Sequence, residues 1–104
     1  MQIDVLVIPG CPNSEIAMSR IHTAITRAAI PTPTVTRHVI TDLPQAQAHG
    51  MCGSPTILLN GHDPFAYPGA SPSLSCRLYP REHGTQGCPT EDELINALRR
   101  ADQT

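Results

Sequence analysis

Cys11, Cys52, Cys76 and Cys88 are the side chains of this 104-residue chain with the most chemistry to offer. A thiolate attacks disulfides and binds soft metal ions. The four are separated by 40, 23 and 11 residues, so there is no Cys-x-x-Cys pair of the zinc-ribbon or dithiol kind. Cys11 is distinguished by its setting, Gly10-Cys11-Pro12-Asn13-Ser14, directly before a helical pattern. A thiol there meets the unpaired amides and the positive dipole end of a first helical turn, both of which favour thiolate over thiol. Ser14, one turn on, can donate its hydroxyl to that thiolate but cannot close a disulfide. The histidines His22, His38, His49, His62 and His83 have no partner at a recognised ligand spacing. Neither a metal site nor a bound cofactor is expected from them.

These residues must be positioned by short elements. Ile3 to Ile8 is a nearly continuous apolar run ended by Pro9-Gly10, as suits a central strand covered on both faces. From Glu15 to Ala29, Ile16, Ile21, Ala24, Ile25 and Ala28 mark one face of an amphipathic helix, with Asn13 or Ser14 as its cap and Pro31-Thr32-Pro33 beyond its end. Thr34 to Ile40 reads as a second strand near an edge, and the crossover helix makes it the parallel neighbour of the first. Asp42, Pro44 and Gly50 frame a short helix from Leu43 to His49. Thr56 to Asn60 is a third strand closed by Asn60-Gly61, and His62 to Ser73 is an irregular, proline-containing loop. Leu74 to Tyr79 resumes strand character; Cys76 alternates there with Leu74 and Leu78 and reads as a buried small hydrophobe. Gly84 to Pro89 is a turn, and Thr90-Glu91-Asp92-Glu93 is a capping box opening a last helix through Leu94, Ile95, Ala97 and Leu98.

The whole chain, 1–104, is the size of one domain. Tyr67, Tyr79 and Phe65 are its only aromatics, so the core rests on aliphatic side chains. A net charge of −2, with seven arginines, no lysine and no basic cluster, gives no footprint for nucleic acid or an anionic membrane. The N-terminus lacks a charged n-region and a cleavage site, and no apolar run has the length of a membrane span. A cytoplasmic location follows as the expectation, in which the cysteines are thiols before they are structural bridges.

The order strand, helix, strand, helix, strand, strand, helix carries two further marks. Gly10-Cys11-Pro12-Asn13-Ser14 follows the first strand, and Gly50-Met51-Cys52-Gly53-Ser54-Pro55-Thr56 precedes the third. Together they resemble the thioredoxin-like superfamily, which has a Cys-x-x-Cys or Cys-x-x-Ser motif at the first point and a cis-proline segment at the second. The resemblance covers nearly the whole chain except the loop from His62 to Ser73. It implies an α/β domain with a mixed four-stranded sheet, β-α-β-α-β-β-α, flanked by helices. It also implies that Pro55 follows a cis bond and lies against Cys11, while the Ser54 backbone pairs with an extended thiol substrate. By the same resemblance Cys52 is on the cis-proline loop and Gly87-Cys88 runs past the active site. The buried carboxylate that thioredoxins place before the motif has no match, its position being about Val5.

The function so implied is that of a monothiol redox protein. Cys11 is the nucleophile, Ser14 and Pro55 shape its site, and Cys52 or Cys88 either resolves an adduct or packs as a small apolar residue. Its partner would be a small thiol such as glutathione, or a protein disulfide. Small bacterial proteins similar to this one sometimes carry an alkylmercury lyase label. Mercury or organomercurial binding by soft thiolates is therefore an alternative, although the lyase's cysteine and aspartate constellation is not found. A third reading is a redox-inactive interaction module that uses the loop from His62 to Ser73.

Overall fold

Strand β1 (Gln2–Val7) is central because nearly every side chain along it is apolar: Ile3, Val5, Leu6 and Val7 are all buried. The computed structural model describes residues 1–81 and 84–103; His83, expected in a loop, lies outside the described residues. On one side β1 pairs in parallel with β2 (Thr34–Val39), from Gln2 opposite Thr34 to Val7 opposite Val39. On the other it pairs antiparallel with β4 (Thr56–Leu59), from Ile3 opposite Leu59 to Leu6 opposite Thr56. The sheet order is thus β2-β1-β4, a mixed three-stranded sheet in a mixed α/β chain with three helices among the described residues.

Helix α1 (Ser14–Ala28) is the crossover that makes β1 and β2 parallel. Its inward face is Ala17, Ile21, Ala24 and Ile25, whereas Ile16, expected on that face, is exposed. Ala17, four residues before Ile21, is on the stripe; Ile16, five before, is rotated off it. Asn13 holds the N-cap position but makes no side-chain cap bond, so the expected cap is missing. Helix α3 (Glu91–Asp102) packs against α1 on the same sheet face. The Arg27–Glu91 ion pair and a bond from Arg20 Nη1 to the Pro89 carbonyl (2.9 Å) join the two helical segments. Its capping box forms as the sequence requires: the Glu93 amide donates to Thr90 Oγ1 and the Thr90 amide to Glu93 Oε1.

The opposite sheet face is covered by the short helix α2 (Leu43–His49), where Leu6, Ile40, Ala46 and Met51 form a second, smaller core. Asp42 Oδ1 accepts from the Gln45 amide at 2.9 Å, and Gly50 ends the helix in the left-handed region at φ 75°. Among the described residues, no helix is long and apolar enough to cross a membrane.

Among the described residues the main sheet has three strands, without the expected fourth. The stretch Leu74 to Tyr79 is instead split between β5 (Ser73–Cys76) and β6 (Tyr79–Arg81). β5 pairs in parallel with β3 (Cys52–Ser54), just ahead of Pro55, and β6 pairs antiparallel with β7 (Gly84–Gln86), which occupies the start of the expected turn. The face is inverted as well: Arg77 and Tyr79 are buried while Cys76 and Leu78 are exposed. Cys76 is therefore not a core residue.

Two helix ends give opposite stability outcomes. Ala29 closes α1 at φ 54°, where a side chain is strained; Ala29→Gly is expected to raise the unfolding free energy by up to about 1 kcal/mol. Thr90→Ala removes one arm of the capping box and is expected to lower it by about 1 kcal/mol. Urea denaturation of the two variants checks both signs.

Candidate functional site

The turn that carries Cys11 is set by two backbone bonds: the Cys11 amide donates to the Ile8 carbonyl and the Ser14 amide to the Cys11 carbonyl, each at 3.2 Å. Cys11 thereby sits between the end of β1 and the first turn of α1, 8% exposed and packed against the larger core cluster. Glu15 lies in that first turn and binds Arg37 Nη1 at 2.5 Å; the same nitrogen donates to Ser14 Oγ at 3.3 Å. Ser14 thus has a partner from β2. Arg37 is a neighbour of the motif that the sequence gave no reason to single out, because it lies 22 residues beyond Glu15.

Two contacts bring other segments to this turn. The Ile8 amide donates to the buried Ser54 Oγ at 3.1 Å, which fastens the loop carrying Pro55 beside the residues that lead into Cys11. The bond between Ser54 and Pro55 is cis. Gly87 lies directly against Asn13, so close that a Cβ on it would come within 2.3 Å of Asn13 Nδ2. Cys88 follows Gly87 and is buried, at 3% exposure. The Cys11 turn, the Ser54-Pro55 segment and the Gly87-Cys88 segment therefore converge.

Cys52 and Cys76 belong elsewhere. They line a groove of about 320 Å³ beside β3 and β5, together with Gly53, Arg77, Tyr67 and Leu78. Cys52 is half-buried and Cys76 is exposed, and both are free thiols.

Arg77 anchors this region. Its guanidinium donates to Asp63 Oδ2 (2.7 Å), to the Phe65 carbonyl (2.6 Å) and to Thr56 Oγ1 (3.4 Å), and lies over the Tyr79 ring at 4.8 Å. Its amide donates to the Ser54 carbonyl at 3.0 Å. The Tyr79 hydroxyl completes the set by donating to the Pro55 carbonyl at 2.6 Å. Burial opposes the Arg77 charge. The Asp63 hydrogen bond, the electrostatic interaction with Tyr79, the Asp63 charge and the interaction with Cys52, in falling order, outweigh it and raise its pKa above the ordinary arginine value. Arg77 thus ties the loop from His62 to Ser73 to the segment that contains Pro55.

Among the described residues no group of three or more His, Cys, Asp or Glu side chains is placed to hold a metal ion. His38 and His49, on different elements, do meet, with ring centroids 5.9 Å apart, and His38 Nε2 is 2.8 Å from Asp4 Oδ1. The chain matches no family model, no curated protein and no solved structure.

The Arg77–Asp63 pair has an energetic signature. Asp63→Asn leaves a buried cation without its counter-charge and is expected to cost about 3 kcal/mol. Adding Arg77→Met removes the orphaned charge and is expected to recover part of that loss. Denaturant unfolding of the single and double variants checks the cycle; fully additive losses would show that the two side chains do not act as a pair.

Proposed function

We propose that this chain is a thioredoxin-like domain that performs thiol-disulfide exchange through Cys11. The observation that carries the reading is the Ile8-to-Ser54 hydrogen bond, which puts the Ser54-Pro55 segment beside the turn that presents Cys11 at the start of α1. A nucleophilic thiol needs a cationic or dipolar environment and a wall against which to align a disulfide. The first turn of α1 supplies the dipole, and the Ser54-Pro55 segment supplies the wall.

The chemistry balances with one protein thiol. Cys11 thiolate attacks a disulfide R–S–S–R, forms Cys11–S–S–R and releases R–S⁻; an external thiolate then attacks the adduct and restores Cys11. The external partner is a small thiol of the glutathione type, or a protein disulfide. Cys88 is the candidate for an internal resolving thiol, because the Gly87–Asn13 contact holds its segment at the motif. Cys52 is less suited to that role, since it opens on the groove beside β5. The fold supports this assignment in its β1-α1-β2 crossover and in the antiparallel β4; it departs from the minimal thioredoxin-like sheet in diverting β5 to β3.

Mass spectrometry of the reduced protein after exposure to oxidised glutathione tests the reading. One glutathione adduct, mapped to the Cys11 peptide and lost in Cys11→Ser, is the expected result. An undiminished adduct in Cys11→Ser would overturn it.

A further inference from the structure

The groove beside β3 and β5 holds two of the four thiols and takes no part in the chemistry of Cys11. We propose that Cys52 and Cys76 form a two-coordinate site for a soft monovalent cation of the copper(I) class.

Three features of the groove favour this ligand. The first is spacing. Cys52 pairs with Ser73, and Cys76 with Ser54, so the two cysteines lie diagonally across a parallel ladder with a register shift. Counted along β3 from the Ser54–Cys76 pair, a lateral spacing of about 4.8 Å and a rise of about 3.3 Å per residue put their Cα atoms roughly 8 Å apart. That is beyond the approximately 7 Å limit for a disulfide. It suits two sulfurs bridged by one ion, because two metal–thiolate bonds of roughly 2.3 Å span a gap that a direct S–S bond cannot.

The second feature is the donor set. With no third His, Cys, Asp or Glu ligand grouped there among the described residues, ions that require four donors are poorly served. A soft d¹⁰ monovalent ion is satisfied by two thiolates in line. The third feature is charge. Binding converts two thiols and one cation into a dithiolate complex with a net charge of −1, releasing two protons. Arg77 lines the same groove, and its buried cation offsets that negative charge. The Arg77 Nε is also buried without a hydrogen-bond partner, so part of the guanidinium's donor capacity is unused.

Access is available on both sides. Cys76 is exposed, and Cys52 is half-buried with its thiol directed to the Gly50 carbonyl at 3.8 Å, a weak sulfur contact that a rotation about χ1 releases. Gly53 keeps the strands close: at φ 104°, a Cβ there would lie 2.9 Å from the Arg77 Cβ.

Silver(I) is the probe, since it has the same coordination preference and needs no reductant. Silver nitrate is titrated into the reduced protein under a fixed excess of a monothiol competitor, with native mass spectrometry and proton release as readouts. One silver ion and two protons per chain are expected for the wild type and equally for Cys11→Ser. Cys52→Ser and Cys76→Ser are each expected to weaken binding by at least about 100-fold, and the double variant by no more than either, because loss of one arm removes the whole chelate. Circular dichroism of each variant verifies the fold. Retention of silver within threefold of wild type in both single serine variants, release of a single proton, or loss of binding in Cys11→Ser would each overturn the site. The last outcome would leave the Cys11 exchange reading standing, as the glutathione experiment does not use Cys52 or Cys76.

Discussion

A buried guanidinium must be surrounded by acceptors, and Arg77 finds its partners in two different stretches of chain. Its side chain takes the Asp63 carboxylate, the Phe65 carbonyl and the Thr56 hydroxyl, and its amide reaches Ser54. A single charge of this kind costs several kcal/mol to desolvate and is tolerated only where such partners converge. In the break between β5 and β6 Arg77 turns inward, while Cys76 before it and Leu78 after it are exposed. The same inward turn places Tyr79 where its hydroxyl meets the Pro55 carbonyl and its ring meets Phe65 edge-on, with centroids 5.6 Å apart. The Pro55 segment, the long loop after Gly61 and the groove with Cys52 and Cys76 all depend on that orientation.

The two thiol environments differ in physical character as a result. Cys11 is recessed at a helix start within the aliphatic core, and its neighbourhood is built from backbone geometry and the Arg37–Glu15 pair on the adjoining edge. A thiol so placed meets the dipole and amides of a first helical turn, with the Ser54-Pro55 segment fastened beside the residues that lead into it. Cys52 and Cys76 instead stand beside a shallow groove with a buried cation below it, open to small solutes. Cys11 and the pair Cys52 and Cys76 therefore lie in separate environments, one within the core and one beside a groove.

Much of the framework was legible in the sequence because it rests on local rules. Asp42, Pro44 and Gly50 bounded α2, and Thr90 with Glu93 opened α3, because caps and breakers act within a single turn. The run from Ile3 to Val7 marked β1 as central, since only a strand covered on both faces carries so few polar residues. The crossover helix made β2 parallel by geometry alone. Asn13 is the local exception. Its type suits a cap, but its side chain packs against Gly87, a residue 74 positions away in the chain that no cap rule takes into account.

The stretch from Leu74 to Tyr79 shows where local reading ends. Its alternation of Leu74, Cys76 and Leu78 described a strand with those residues inward; Leu74 does pack against the second core, but a break after Cys76 leaves Cys76 and Leu78 exposed and Arg77 and Tyr79 buried. The choice was made by Arg77, whose acceptors lie 12, 14 and 21 residues back in the chain and become neighbours only after folding. By itself the sequence determined the thiol types, the placement of Cys11 before a helix, and the elements that hold it. Tertiary structure decided which thiols share a surface, because the pairing of β5 with β3 and the convergence of Ser54, Ile8, Gly87 and Asn13 are contacts between distant segments, set by partners for buried polar groups that no local pattern encodes.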